Sequence, residues 1–444
     1  MLSRRTFLAG AAAPAFAGAP RRPNIVVFLA DDLGSADPGY AGSGISTPNI
    51  DRLAREGVRF RQFYSYPLCS PTRSALMTGR SPMRFGLAYS VVRPWSPYGL
   101  PVDEHIMPQT FRAAGYQTAA FGKWHLGHAH RSHHPNMRGF EHFYGHMNGA
   151  IDYFTHERDG GIDWQRNGRS VREEGYATDL IAAEAVRFIK GRDRSRPLFL
   201  YVPFNAPHAP LQAPKPLIAK YKERPVYSAM VDAMDAAIGR VLETLRGEGE
   251  TLAVFLSDNG GVGQGRNHPL RAGKATTFEG GIRVPAILHW EGVLRPRVSE
   301  QVGTVMDIFP TLAAAAGIAP GGAKPLDGKS LWDAARDGTS FAREDLFFAT
   351  DPGNRIYHAL RRGDWKVVQQ IDKSTLRTEN LLFHLAEDPN EKNDLAAKQP
   401  GVLQDLLAAV EKWRALHPNC DVLTSGAAHP GFIPPKDWAL ASGV

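Results

Sequence analysis

The 444-residue sequence has two cysteines, Cys69 and Cys420, so it can form at most one disulfide. If Cys69 carries chemistry, Cys420 is left as a buried or tail thiol and no disulfide holds the fold together. Also missing is any apolar run of the ~18 or more residues that a membrane-spanning helix needs. There is no long Lys/Arg run and no ladder of aromatic and basic residues, which argues against nucleic acid as a partner. No internal repeat is visible, which excludes a solenoid or propeller.

What is there begins with "MLSRRTFLAGAAAPAFAGAP", a short apolar stretch behind Arg4 and Arg5 that ends in Ala15-Phe16-Ala17. It reads as a signal peptide over residues 1–17, cut near Ala17. Ser3-Arg4-Arg5-Thr6-Phe7-Leu8 resembles the twin-arginine export signal of bacteria, so the expected location is periplasmic or extracellular. The formal charge is +7, or +5 without those two arginines. A mild basic excess suits an anionic substrate.

With 43% hydrophobic and 22% charged residues, the rest is an ordinary globular chain, long enough for a large and a smaller domain. Apolar runs of strand length, "NIVVFLA", "QTAAFG", "PLFLYVPF", "TLAVFLS" and "VPAILHW", alternate with helical patterns. Continuous apolar strands are usually buried on both faces beneath helices, so a layered α/β domain is expected over residues 23–335. Thr47-Pro48 is expected to cap the helix "NIDRLAREG". The Gly/Pro-rich "IAPGGAKPLDGKS" (318–330) reads as a connection to residues 336–444. There, β-like runs followed by one amphipathic helix suggest a small antiparallel sheet with a helix, and the tail from Pro418 reads as irregular.

Ligands in α/β sheets sit at the strand ends, and the polar residues fall there. Asp31-Asp32 follows the first of these strands, Lys123-Trp124-His125 the second, His208 the third and Asp258-Asn259 the fourth. Such oxygen donors suit a hard cation, Ca²⁺ or Mg²⁺, and not zinc. Either pair alone would equally serve as caps and turns.

The stretch "CSPTRSALMTGR" (69–80) changes the balance, because it resembles the signature C-x-P-x-R followed by T-G-R of the sulfatase family. The likeness extends through "LADDLG", "TPNIDRLAREG", "GYQTAAFGKWHLG", "APHAPLQAP", "SDNGG", "GKATTFEGGIRVP", "RRGDWKVV" and "FHLAEDPNEKNDLA". Within the family, "MRFGLAYSVVRP", "MRGFEHFYGHMNGAIDYFTHE" and "HAPLQAP" are most similar to the N-acetylgalactosamine-4-sulfatase type (arylsulfatase B), although the animal enzyme's disulfides are absent. The resemblance implies an alkaline-phosphatase-like fold, with a large mixed sheet flanked by helices. It also implies that Cys69 is a precursor, oxidised after translation to formylglycine by a formylglycine-generating enzyme. An aldehyde beside a divalent cation hydrates to a diol, a hard oxygen nucleophile with a second hydroxyl that can later expel the product.

Carried over residue by residue, the resemblance gives Asp31, Asp32, Asp258, Asn259 and the oxygen of modified Cys69 as cation ligands. Arg73 would steady the diol, Lys123 would bridge diol and sulfate, and Lys274 would bind sulfate oxygens. His125 would be the base, His208 the acid for the departing alcohol, and Thr155 a hydroxyl contact to sulfate. The cluster His128, His130, His133 and His134 is expected as a mobile loop at the pocket rim rather than a transition-metal site. The substrate implied is a sulfated carbohydrate. Two rival readings stay open: a phosphonate or phosphodiester hydrolase of the same superfamily, and a sulfated-glycan binding protein whose Cys69 is never converted.

Overall fold

The computed structural model describes residues 22–418, 428 and 430–441. The segment read as a signal peptide and Cys420 lie outside them.

A ten-stranded mixed sheet forms the body, and its order places Asn24–Ala30 between Thr251–Ser257 and Leu198–Pro203. Gln117–Lys123 and His142–His146 continue the sheet beyond Leu198–Pro203, and all of these neighbours run parallel. Ala286–Trp290 pairs antiparallel on the other side of Thr251–Ser257, making the sheet mixed.

The period of two along the central strand feeds two cores. Ile25, Val27 and Leu29 pack with Leu76, Phe111 and Phe309 on one face. Val26, Phe28 and Ala30 pack with Ile181, Met230 and Ile238 on the other. Both faces are therefore covered, as the uninterrupted apolar strands require. The helices Pro48–Glu56, Ala177–Lys190 and Pro225–Arg246 lie on the second face, and Cys69–Thr78 on the first.

Close packing of the backbones shapes the strand that carries Lys123. Gly122 has φ +127, and a Cβ there would lie 2.0 Å from the carbonyl oxygen of Pro203 on the adjacent strand. Only glycine fits that position.

The expected cap by Thr47 is not what the structure holds. The Thr47 hydroxyl donates to Asp51 and accepts from the Gly39 amide. The free amides of Asn49 and Ile50 are taken instead by Asp235, reaching over from Pro225–Arg246 at 3.1 and 2.7 Å. A carboxylate from a neighbouring helix satisfies the same orphan donors, which is a tertiary solution to a local need.

The strand His142–His146 and the short strand pairs within 157–170 are further elements that the pattern reading did not resolve. Towards the C-terminus, Leu346–Thr350, Arg355–Arg362, Trp365–Asp372 and Thr378–His384 form a four-stranded antiparallel sheet in chain order. The helix Pro400–Arg414 packs on it through Leu406 and Val410. The tail is not irregular throughout: Trp438–Ala441 is helical, and Trp438 is buried.

Candidate active site

Register brings the polar strand ends to one level. Ala30 pairs with Ser257, so Asp31 and Asp258 emerge side by side, and the Asp258 amide donates to the Ala30 carbonyl at 3.0 Å. Leu29 pairs with Pro203, which puts the turn 204–208 next to them, and the Asp31 amide donates to Ala206. Lys123 ends the next strand.

Cys69 opens the helix Cys69–Thr78, every residue of which is buried. Its Sγ lies 3.5 Å from Asp31 Oδ1 and 3.8 Å from Asn259 Oδ1. Burial, and next the Asp31 carboxylate, push the thiol up to about 12. It is therefore held protonated and is a poor nucleophile in its own right.

The surroundings are a charge lattice. Arg73, fully buried one helical turn after Cys69, donates to Asp258 Oδ2 at 2.9 Å, to the Lys123 carbonyl at 3.0 Å, and stands 3.4 Å from Asp31. Lys123 is ion-paired with Asp31. Lys274 reaches Asp32 at 2.7 Å. Burial opposes the Lys274 ammonium, but Asp32 outweighs it and the ammonium is stabilised. Conversely, Lys274 and His208 together overcome the burial of Asp32 and hold its carboxyl far below the usual range. Asp258 is pushed up to about 6 by burial and by Asp31. Three carboxylates thus face three fixed cations.

This donor set fits a hard divalent cation on a geometric ground. The Asn259 amide nitrogen is engaged by Asp32 Oδ1 at 2.8 Å and the Gly260 carbonyl at 3.0 Å. That fixes the amide so that its oxygen faces Cys69, the orientation an oxygen ligand needs. Donor atoms of Asp31, Asp32, Cys69 and His208 lie within 4.8 Å of one another, the one such grouping of three or more His, Cys, Asp or Glu among the described residues.

Two histidines flank the lattice. His208 Nε2 is 3.7 Å from Asp32, and its loop is held by the Tyr153 hydroxyl, which donates to the Asn205 and His208 carbonyls at 2.5 and 2.8 Å. Burial lowers His208 to about 4, against the pull of Asp32. His125 is buried with φ 58, and its Nε2 donates to the Val92 carbonyl at 2.9 Å while Nδ1 has no partner. Burial, and next Lys123, keep the ring neutral. Nδ1 therefore carries a free lone pair.

Thr155 is not drawn into this group: it is exposed, and its amide donates to Asp152 Oδ1 at 2.8 Å. The histidines of 128–134 do not converge either. His128 and His134 are buried, His134 against Gln165 at 2.9 Å, whereas His130 is exposed. The expectation of a mobile rim loop is thereby corrected, because two of its four rings are packing and hydrogen-bonding groups.

The structure adds His146 and Tyr153 to the neighbourhood. His146 is opposite Lys123 in the strand register and is fully buried, with Nδ1 donating to the Asn148 carbonyl. Its signal in the sequence was a histidine ending "HFYGH", too short a run to be assigned to a strand.

Two carboxylates, a thiol and His208 with donor atoms within 4.8 Å of one another, and with Asp258, the Asn259 amide oxygen and two lysines beside them, make a site suited to metal-assisted hydrolysis of oxyanion esters. The Sulfatase family model matches residues 23–318, and the chain belongs to the sulfatase family. It is 35% identical to human N-acetylgalactosamine-6-sulfatase, covering 94% of both chains. Mouse arylsulfatase J is 31% identical, over 94% of this chain and 78% of that protein. The crystal structure of Ps i-CgsB in complex with k-i-k-neocarrahexaose superposes with a TM-score of 0.82 at 32% identity, covering 91% of this chain and 96% of that one. The chain is a sulfuric ester hydrolase.

Proposed function

We propose that this sulfatase removes sulfate from a carbohydrate with Asp31, Asp32, Asp258, Asn259 and converted residue 69 holding a calcium ion. Converted to formylglycine and hydrated, residue 69 would supply the oxygen nucleophile, and a divalent cation held by these residues would supply Lewis-acid polarisation there. Arg73 orients residue 69 from one helical turn away. Lys123 and Lys274 bind sulfate oxygens and offset the charge that develops on them. His208, beside Asp32, would give a proton to the departing alcohol oxygen; burial disfavours its cation in the resting site, so the anionic substrate must stabilise the protonated ring. His125 takes a proton at Nδ1 as sulfate is released, its Nε2 proton staying on Val92. The carrying observation is Cys69 itself, a thiol held protonated between Asp31 and Asn259, where a carbonyl-derived diol has ligands and a thiolate has none.

The carbohydrate reading is supported by the N-acetylgalactosamine-6-sulfatase relatives and by the neocarrahexaose held by Ps i-CgsB. Position 4 or position 6 of an N-acetylgalactosamine sulfate is the first pair to compare. Export through Arg4 and Arg5 would follow conversion of Cys69 by a cytoplasmic formylglycine-generating enzyme, since the thiol is buried once the chain has folded.

The test combines mass spectrometry of the peptide containing residue 69 with hydrolysis rates on an aryl sulfate, an aryl phosphodiester and defined sulfated sugars. Aldehyde at residue 69, loss of activity on chelation with recovery by Ca²⁺, and a rate preference for the sulfate ester are expected. A preference for the phosphodiester would favour the rival hydrolase. Unmodified Cys69 in active enzyme would end the mechanism.

A further inference from the structure

We propose that the C-terminal segment 430–441 is a strap that positions His125, with Trp438 and His128 as the positioning residues. The inference rests on His125 being the base described above.

The His125 ring is useful only while Nε2 keeps its proton on Val92, because that bond leaves Nδ1 with the lone pair. The Val92 carbonyl belongs to a loop tied down at Val92 N by Ser70 Oγ at 3.0 Å and at the Pro94 carbonyl by His128 Nε2 at 2.9 Å. His125 and His128 thus grip the same loop two residues apart. His128 is backed by Trp438, whose ring meets it edge-on at 5.3 Å and 85°. Farther along the loop, Trp95 meets Phe432 of the strap at 6.0 Å.

The strap also backs the other wall. Trp438 Nε1 donates to the Arg158 carbonyl at 3.0 Å, the Ile162 amide donates to the Lys436 carbonyl at 3.0 Å, and Ser170 donates to Asp437 at 2.5 Å. Residue 161 is glycine where the strap crosses, since a Cβ there would lie 2.0 Å from the Pro435 carbonyl oxygen. Asp163 accepts from the Met147 and Asn148 amides at 2.9 Å, and the Met147 carbonyl accepts from the His125 amide at 3.1 Å. Two supports of His125, the Val92 loop and the Met147 turn, are thus backed by one segment far away in sequence, beside the third, Ser70, whose Oγ donates to the His125 carbonyl at 2.8 Å. Trp438 touches neither the metal ligands nor the lysines, so its effect on chemistry passes through His125.

The experiment compares full-length Trp438→Ala, Trp438→Phe, His128→Leu, His128→Gln and His125→Ala with wild type. Rates on an aryl sulfate are normalised to the aldehyde content at residue 69. Two further readouts use protein with unconverted Cys69: imidazole ¹⁵N shifts of His125, and amide exchange of residues 92–96. Trp438→Ala and His128→Leu are expected to lower kcat about 10- to 100-fold with KM within about twofold, the scale of a displaced catalytic group. They should also move the two His125 ring shifts towards each other and speed exchange at 92–96. His128→Gln, which keeps a donor for Pro94, and Trp438→Phe, which keeps a ring against His128, should recover most of the loss.

Wild-type kcat and unchanged His125 shifts in Trp438→Ala would overturn the strap. If Trp438→Ala does not fold, the two His128 variants decide: equal behaviour of Leu and Gln overturns the proposal, and rescue by Gln supports it. Full activity in His125→Ala would fell the base assignment instead, and the strap would then stand or fall on the ring shifts and exchange alone.

Discussion

At the scale of single residues, the site is built from side chains whose identity is visible in the sequence and whose geometry is not. Asp31, Asp32, Asp258, Asn259, Lys123, His125 and His208 could all be picked out at strand ends. That Asp32 and His125 adopt φ 65 and 58 could not, because Asp and His enter the left-handed region more often than other side chains yet do so at only a small share of positions. Such strain is kept where the surroundings over-determine it, and here it turns two side chains off their strands into the cluster. Cys69 was legible through its motif, and the structure adds the reason it is inert as a thiol. Cys69→Ala should therefore abolish turnover while the protein stays folded, the removed Sγ making only two weak contacts at 3.5 and 3.8 Å. Thermal melting and aryl sulfate hydrolysis check this together. Residual turnover well above background would contradict the assignment of residue 69 as nucleophile.

At the scale of elements, strands with continuous apolar character and helices with clear periodicity were readable, since burial on one or both faces dictates composition directly. Short pieces were not. His142–His146 has a histidine at each end and a glycine within, and the 157–170 strands are two residues each, so neither presents a period to count. They are held by side chains from elsewhere, notably Glu184 of Ala177–Lys190. This carboxylate accepts from His142 at 2.9 Å and Arg166 at 3.0 Å and is ion-paired with Arg187. Burial alone would raise it; the bonds from His142, Arg166 and Arg187 outweigh that and lower it to about 2 from 4.5. A depressed carboxyl stabilises the fold fully above its unfolded value, near 4.5, and loses that contribution as pH falls towards 2. Glu184→Gln should thus cost about 1–2 kcal/mol at pH 7, because the glutamine keeps an acceptor oxygen for His142 and Arg166 and loses only the charge. The gap to wild type should narrow steadily below pH 4.5, as read by urea denaturation across that range. A gap that stays constant with pH would mean that packing, and not charge, sets the effect of residue 184.

At the scale of the whole molecule, the antiparallel sheet reaches the active site through one buried ion network. Lys366, in the strand Trp365–Asp372, is fully buried between Glu279 at 2.9 Å and Glu391 at 2.8 Å. Glu279 also accepts from the Tyr64 hydroxyl at 2.8 Å, which receives a bond from Arg361 of the same sheet at 2.5 Å. The Glu391 carbonyl holds Arg271 at 2.8 Å, and the Glu391 carboxylate caps the Glu279 amide at 2.7 Å. Residues 271 and 279 bracket Lys274, so the loop presenting this lysine to Asp32 is pinned at both ends by Glu391, which Lys366 of the second sheet holds in place. Lys366→Met would leave two buried carboxylates facing each other with only Arg283, 3.5 Å from Glu279, as a paired cation, at a cost of about 3–5 kcal/mol. Where the variant still folds, KM for a sulfate ester should rise more than kcat falls, because the loosened loop holds Lys274, the lysine proposed to bind sulfate. Adding Glu391→Gln removes one of the stranded charges and should restore part of the stability, so the pair of substitutions is non-additive. Denaturation and steady-state kinetics on the single and double variants measure both effects. A cost below ~1 kcal/mol for Lys366→Met would show that the network is dispensable and that the sheet merely lies beside the site.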